Sequence, residues 1–242
     1  MIGNIFNIIL YQPLLNILVL LYLYFPGHDF GIAIILLTIL IKLIFYPLGA
    51  KAIKSQKDLA VLQPKIKEVQ EKYKDDKETQ TKEIMALYKS EKINPFSGCL
   101  PILIQLPVLI ALYRVFWVGL SPEQMVWLYS FVPNPGVVNS TFLGIVDLAT
   151  PNMVLAVLAG ILQFIQIKTS APPVKITKNS STSDHMQKQM QYFMPVFMVV
   201  ILFRLPSAVG LYWITTTIFT IAQQYIINKS TRKAHYEKGT RE

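Results

Sequence analysis

The sequence contains little of what a disulfide-stabilised, metal-binding or catalytic protein requires. Cys99 is the only cysteine, so no intrachain disulfide can form, and we expect it to be a small packing residue. The histidines His28, His185 and His235 are isolated from one another and from any acidic cluster, which argues against a metal site. Neither a G-x-x-x-x-G-K phosphate loop nor a G-x-S-x-G motif occurs. We therefore predict no cofactor, no metal and no enzymatic activity.

Charged residues are also scarce. They make up 15% of the 242 residues, whereas 52% are hydrophobic, a balance that is wrong for a water-soluble surface. Hydrophobic runs that approach the length needed to cross about 30 Å of hydrocarbon occur at 30–48, 99–118 and 207–227. Shorter runs occur at 152–167 and 191–205. The composition therefore predicts a membrane protein.

Basic residues are missing from two long stretches, 1–41 and 119–151. Of the 23 Lys and Arg residues, 11 lie between Lys51 and Lys92, four between Lys168 and Lys188, and five after Asn228. With five spans, the positive-inside rule places every basic loop in the cytoplasm, the start of the chain outside and its end inside. We expect the basic surface to contact membrane lipid, with RNA or the ribosome as the alternative, and no specific DNA.

These patterns predict an all-α polytopic membrane protein with five transmembrane helices. Its predicted segments are an external amphipathic helix (1–28), the first span (29–48), a cytoplasmic helical hairpin (49–97), the second span (98–118), an external loop (119–151), the third span (152–168), a cytoplasmic loop (169–189), the fourth span (190–205), the fifth span (206–227) and a basic cytoplasmic tail (228–242). We expect the tail to be disordered.

The first segment allows two interpretations. Residues 5–25 are apolar enough to span, and they lack the basic region and cleavage site of a signal peptide. Asn4, Asn7, Tyr11, Gln12 and Asn16, however, project within about half of a helical circumference. We favour a helix lying on the outer membrane surface, with a spanning helix as the alternative.

The hairpin prediction depends on two apolar stripes in the charged region between residues 51 and 92. Leu62, Ile66, Val69 and Tyr73 recur at intervals of four, three and four residues, and a shorter stripe follows a charged turn at 74–78. Two paired helices account for this pattern. They either connect two spans or form a docking arm for a partner or an incoming chain.

Lys42 is the most informative single residue. A cation within an apolar span costs on the order of 3 kcal/mol on insertion scales. Lys42 lies about 9 Å from the end of its predicted span at Leu48, at about 1.5 Å per residue. It either extends along the helix to the interface or occupies a wet cavity. Polar candidates for the same cavity on other spans are Gln105, Gln163, Gln166, Thr215, Thr216 and Thr217. We expect Arg114 and Arg204 instead to anchor the outer ends of their spans or to pair with Glu123 or Asp147.

Several motifs resemble the YidC/Oxa family of membrane protein insertases. They are Asn94-Pro95, Gly98-Cys99-Leu100-Pro101, Gln105-Leu106-Pro107, Leu205-Pro206-Ser207-Ala208 and Leu211-Tyr212-Trp213. The runs 38–48 and 62–66 resemble the same family, so the similarity covers nearly the whole chain after Phe30.

The resemblance implies five spans around a hydrophilic groove that opens to the cytoplasm and to lipid. Lys42 matches a position at which the family usually has arginine, so the positive charge is kept but the planar guanidinium is not. Gln166 and Trp213 match a groove-lining glutamine and tryptophan. The chain lacks a large periplasmic domain and a lipobox cysteine, so it resembles a short bacterial form.

We therefore predict an insertase and chaperone for nascent membrane proteins in the bacterial inner membrane. Its expected partners are nascent chains, the ribosome, the Sec translocon, the signal-recognition machinery and lipid, with no small-molecule substrate. The alternative is a small-solute transporter or channel, which would also place a charge in a membrane cavity. We find no inverted repeat that would support the alternative.

Overall fold

The computed structural model describes residues 2–25, 27–94, 100–117, 122–170 and 182–239. Its elements are, in chain order, α1 (Ile2–Phe6), a π-helical segment (Asn7–Tyr11), α2 (Gln12–Tyr24), α3 (Phe30–Ile44), α4 (Tyr46–Lys72), α5 (Lys77–Ser90), α6 (Leu100–Trp117), a 3-10 helix (Pro122–Trp127), β1 (Thr141–Phe142), β2 (Val146–Asp147), α7 (Met153–Ser170), α8 (Thr182–Leu202) and α9 (Ser207–Gly239). The chain is mostly helical, as predicted, although two short strands interrupt the helices.

The chain forms two compact units. The first contains Met1–Phe45, Ile102–Gln163 and Pro195–Phe219, and the second contains Tyr46–Pro101, Phe164–Met194 and Thr220–Glu242. In the first unit, α2 packs against α3. Leu15 and Leu18 of α2 and Ile34 of α3 are fully buried in its hydrophobic core. The sequence favoured a position on the outer membrane surface for this helix. In the structure, the apolar side of α2 is buried against protein.

The part of the polar stripe formed by Tyr11, Gln12 and Asn16 faces protein, whereas Asn4 at its start is exposed. Asn16 is buried, donates to the carbonyl oxygen of Trp127 at 3.0 Å and accepts from the backbone N–H of Tyr129 at 2.7 Å. Gln12 also donates to the Trp127 carbonyl oxygen, and the Tyr11 hydroxyl donates to Gln124. The stripe therefore binds the segment after α6, so its polarity is no evidence for a helix exposed at the membrane surface.

Arg114 has different partners from those expected. Its guanidinium donates to Asn7 Oδ1 at 2.7 Å and lies 4.9 Å from the centre of the Tyr11 ring. Asp147 instead accepts from the Ser140 hydroxyl. Asp147 is therefore not the partner of Arg114, because the sequence pattern did not show that the first helix approaches α6. The side chain of Glu123, the other expected partner, lies outside the described residues, and the alternative of an anchor at the outer end of the span stays a prediction.

A short antiparallel strand pair follows the 3-10 helix. Thr141 pairs with Asp147, and Phe142 pairs with Val146. Leu143 and Gly144 at the turn have φ values of 53° and 68°. The predicted external loop therefore contains a small ordered hairpin, which we call the strand hairpin (residues 141–147).

In the second unit, α4 and α5 contact each other. Lys65 of α4 forms an ion pair with Glu91 just after α5, while Gln80 of α5 donates to the Gln70 carbonyl oxygen at 2.8 Å. Because the later residue of α4 meets the earlier residue of α5, the two helices run in opposite directions. Leu62 and Ile66 are buried within this unit.

Pro47 explains why α3 and α4 are separate helices. Proline has no N–H to donate to the carbonyl oxygen four residues earlier, and its ring clashes with that carbonyl inside a helix, whereas it is tolerated in the first turn of a new helix. The α3 helix accordingly ends at Ile44, and α4 begins at Tyr46. The first predicted span, 29–48, is therefore not one continuous helix.

The last helix is longer than predicted. α9 continues through the basic tail to Gly239, where we expected disorder. Between Gly210 and Gly239 the sequence contains neither proline nor glycine, and the tail 228–242 has three lysines, two arginines and two glutamates. These residues favour helix, so nothing local ends it earlier.

Two helical segments are long and apolar enough to cross a membrane, Asn4–Tyr24 and Met153–Ser170. The broken pair Phe30–Ile44 and Tyr46–Lys72 makes a third candidate, and shorter apolar helices cover Gln105–Phe116 and Gln191–Leu202. α9 contains Thr215, Thr216 and Thr217 as well as two glutamines, which lower its mean hydropathy. Length and composition therefore identify two or three spans among the described residues, and the five-span arrangement stays a proposal.

Candidate functional site

The predicted site residues of the first unit converge on α9. Tyr212, Thr216 and Phe219 are four and three residues apart, so they lie on one face of this helix. Trp213 lies about 100° further round. Through these residues, α9 contacts side chains from α3, α6 and α7.

The contact with α7 is a hydrogen bond between two predicted site residues. Trp213 Nε1 donates to Gln163 Oε1 at 2.9 Å. Both side chains are half-buried. A buried indole N–H requires an acceptor, and an isolated amide in an apolar layer is costly, so each side chain satisfies the other.

The contact with α6 is also polar. Gln105 Nε2 donates to the hydroxyl of Tyr212, which is buried. Thr216 lies one helical turn further along α9, on the same face as Tyr212. Two of the predicted residues, Gln105 and Tyr212, are therefore in direct contact between α6 and α9, and a third lies next along the same face.

The contact with α3 involves the cation. Lys42 lies in the last turn of α3, and its Nζ is 5.8 Å from the centre of the Phe219 ring. A ring face and a helix C-terminus both favour a positive charge. The distance of about 9 Å to Leu48 assumed a continuous helix, whereas α3 ends only two residues after Lys42, or about 3 Å along its axis.

Gln166 belongs to the second unit, on the part of α7 that follows Gln163. Its carbonyl oxygen accepts from the hydroxyls of Thr169, at 2.9 Å, and Ser170, at 2.7 Å. Its own side chain is half-buried. The structure therefore gives Gln166 a defined backbone position in its own unit, and the predicted common groove stays a prediction.

Two buried glutamines near this position were missed by the sequence reasoning. Gln223 Nε2 donates to the Tyr46 carbonyl oxygen at 2.9 Å. Gln224 donates to the Ser170 hydroxyl at 2.6 Å and accepts from the Thr169 hydroxyl at 3.1 Å. Two consecutive amides in the predicted fifth span were the available signal, because buried amides require partners.

Phe219 was also missed as the partner of Lys42. Its place on α9, one turn beyond Thr216, follows from helical spacing alone. Its approach to α3 does not follow from spacing, because helix periodicity shows on which face of a helix a residue lies but not which other helix packs against that face. In the described part of the chain, no three His, Cys, Asp or Glu side chains are grouped so that they could hold a metal ion.

The chain is similar to known membrane proteins over most of its length. A family model described as "60Kd inner membrane protein" matches residues 21–234. Proteins named "Membrane protein insertase YidC" from Francisella tularensis subsp. novicida (strain U112), subsp. holarctica (strain LVS) and subsp. tularensis (strain SCHU S4 / Schu 4) are each 39% identical over 207 residues. The aligned region is 86% of this chain and 34% of each relative, so the chain spans about a third of the length of these relatives.

The family model and the relatives agree with the resemblance carried by the motifs around Gln105 and Trp213. The matched region contains every predicted site residue from Lys42 to Thr216. The chain belongs to the 60Kd inner membrane protein family, which is the YidC/Oxa family.

Proposed function

We propose that this chain is a membrane protein insertase that helps nascent integral membrane proteins to enter the bilayer and fold. The observation that carries the proposal is Lys42, a cation at the end of the apolar helix α3 and beside Phe219 of α9, in a chain of this family. The curated relatives are named for this activity. A cation in this position attracts an acidic or polar segment of a client.

The proposed groove is lined by Lys42 together with the polar side chains of three other helices. These are Gln105, Gln163, Gln166, Tyr212, Trp213 and Thr216. The polar pairs between α9 and its neighbours support this assignment because they place amide, indole and hydroxyl groups between otherwise apolar helices, where such groups are costly without partners. The client's polar segment enters the groove while its apolar helix moves beside α7 and α9 into lipid.

Insertion needs no chemical fuel in this mechanism. A client helix of about 20 apolar residues gains roughly 25 cal/mol per Å² of apolar surface transferred from water. The groove lowers the barrier for the polar segment that must cross with it. Insertion therefore transfers the client helix from water to lipid and makes or breaks no covalent bond.

The proposed topology has five spans, with the N-terminus outside and the C-terminus in the cytoplasm. The distribution of lysine and arginine supports it, because residues 1–41 and 119–151 contain none. The paired helices α4 and α5 and the basic tail then face the ribosome, the signal-recognition machinery and the Sec translocon. These are the proposed cytoplasmic partners.

Reconstitution distinguishes the proposal from its alternative. The purified chain in liposomes should insert a single-span test protein, measured by protection of its translocated tail from protease. Liposomes without the chain are the control. Solute flux without insertion would instead support the transporter or channel.

A further inference from the structure

The strand hairpin is fixed to the first turn of α3. Asp29 caps α3 by accepting from the Ile32 N–H at 2.9 Å, and its other carboxylate oxygen accepts from the Leu143 N–H. The Phe142 ring occupies the space that a Cβ at Gly31 would need. One side of the strand hairpin is thus locked to the beginning of a proposed span.

The other side of the strand hairpin is fixed to the first turn of α9. The Asp147 carbonyl oxygen accepts from the Ser207 hydroxyl at 3.0 Å, and the Leu148 carbonyl oxygen accepts from the Ala208 N–H at 3.0 Å. The strand hairpin therefore bridges the starts of two proposed spans. Helices that cross a bilayer begin at its interface, so its base lies at that level.

The turn of the strand hairpin has an unusual composition for its conformation. Leu143 and Gly144 both have positive φ, a geometry in which Asn-Gly or Asp-Gly is favoured. Leucine is strained in the left-handed region, whereas asparagine tolerates it. The turn alone does not explain a leucine at position 143.

The exposure of the turn is equally unusual. Leu143 is 61% exposed and Ile145 is 83% exposed. Two large aliphatic side chains at one turn would each keep apolar surface in water, which is unfavourable. Their exposure is consistent with lipid as the solvent at this place, because the base of the strand hairpin lies where two spans begin.

We infer that the strand hairpin is a membrane-interface anchor whose turn, Leu143 and Ile145, inserts into the lipid leaflet where α3 and α9 begin. The ligand is the lipid surface itself. The strain at Leu143 is retained because an aliphatic side chain is needed at that position. The inference goes beyond insertion and requires only that α3 and α9 cross the bilayer.

Spin labelling tests the inference directly. Replacing Cys99 with serine removes the only cysteine, and single cysteines are then introduced at Leu143 or Ile145. Reference labels are placed at Val154, on the exposed apolar face of α7, and at Glu78, on charged α5. Nitroxide collision rates with oxygen, which concentrates in lipid, and with a water-soluble nickel chelate are measured in liposomes made from pure phospholipid.

The labels at 143 and 145 should collide with oxygen more than with nickel, as the label at 154 does, and the label at 78 should show the reverse. Ratios of oxygen to nickel collisions at 143 and 145 that match the ratio at 78 would overturn the inference. The same result is expected if the turn is covered by a protein partner, because these liposomes contain none. Leu143→Asn is the second variant, combined with the label at 145. Asparagine suits the backbone, so a shift of the label towards water supports an anchoring role, and an unchanged ratio contradicts it.

Discussion

At the scale of single residues, buried polar side chains explain more of the structure than the hydrophobic pattern does. Asn16 is 1% exposed and bonds three backbone groups, two of which lie in the segment after α6. A buried polar group without a hydrogen-bond partner lowers the free energy of unfolding by about 1–3 kcal/mol. A residue such as Asn16 therefore determines where the segment that supplies its partners lies. The same logic applies to Asp29 and to Gln223.

Asn16→Leu should therefore lower the stability of the first unit. The substitution leaves the half-buried Tyr129 N–H without its acceptor, at a cost of about 1 kcal/mol. Thermal unfolding in detergent measures the change. Gln12→Leu is the matched control and should cost less, because the Trp127 carbonyl oxygen keeps its bond from Asn16. Equal stability of Asn16→Leu and the unchanged chain would contradict the role of Asn16.

Asp76 gives a pH-dependent prediction outside the proposed spans. Its carboxylate caps α5 by accepting from the Thr79 hydroxyl and N–H, and these bonds lower the pKa of Asp76 below its ordinary value. Because the folded pKa is lowered, the stabilisation is complete above the ordinary pKa and is lost as pH falls through the lowered value.

Asp76→Ala should consequently reduce α5 helicity at neutral pH and have progressively less effect at acidic pH, as the carboxyl group of the unchanged chain becomes protonated. Backbone chemical shifts of α5 measure this difference. Asp75→Ala, at the neighbouring exposed position, is the control and should change α5 little at either pH. A loss of helicity of the same size at both pH values would show that the cap does not depend on charge.

At the scale of elements, α9 organises both units through different side chains. In the first unit it uses Tyr212, Trp213 and Phe219, and in the second it uses Gln223 and Gln224. The two glutamines are adjacent, equally buried and bonded to different helices. They therefore form a natural pair of matched variants.

Gln223→Met should loosen the start of α4, and Gln224→Met should loosen the end of α7. Methionine keeps the length of the side chain but not its amide. Hydrogen exchange should accelerate severalfold near Gly49 in the first variant and near Ser170 in the second, with about 1 kcal/mol lost per hydrogen bond. Identical exchange patterns in both variants would contradict separate roles.

The sequence predicted the helical class, because long apolar runs and heptad-like stripes report helical periodicity directly. The sequence did not predict the features that depend on tertiary contacts. The polar stripe of the first helix was compatible with water or protein, and only the packed segment at 127–129 distinguishes them. The strand hairpin was missed because two-residue strands carry too short a pattern.

The sequence predicted the residue types of the candidate site but not which side chains contact each other. Isolated polar residues in apolar runs identified Gln105, Gln163 and Lys42. Which side chain each one contacts depends on helix packing, so Trp213 with Gln163 and Phe219 with Lys42 emerged only from the structure. Gln223 and Gln224 carried the same sequence signal and were overlooked.

At the scale of the whole molecule, charge asymmetry is the dominant feature. The net charge is +9, and five basic residues follow Asn228, four of them within α9. In the proposed topology these residues face the cytoplasm. Their proposed partner is the anionic surface of the ribosome.

Replacing the five basic residues after Asn228 with glutamine should weaken ribosome binding in a salt-dependent manner. Each lost phosphate contact reduces the slope of log affinity against log salt by nearly one unit. Cosedimentation with ribosomes over a salt series measures this slope. A control variant with the same number of glutamines in place of lysines on α4 and α5 separates the two basic regions. An unchanged slope in the tail variant would exclude the tail as a ribosome contact.

The central claim is that the charge of Lys42 attracts acidic segments of clients. At an effective dielectric near 20, two charges 4 Å apart interact by roughly 4 kcal/mol, compared with about 1 kcal/mol in bulk water. The most direct measurement compares insertion of one reporter carrying an acidic or a neutral translocated tail by Lys42→Arg, Lys42→Glu and Lys42→Leu variants, at equal protein levels. Lys42→Arg should insert both reporters, whereas Lys42→Glu should fail with the acidic tail and retain the neutral one. Equal insertion of both tails by the Glu and Leu variants would contradict the claim.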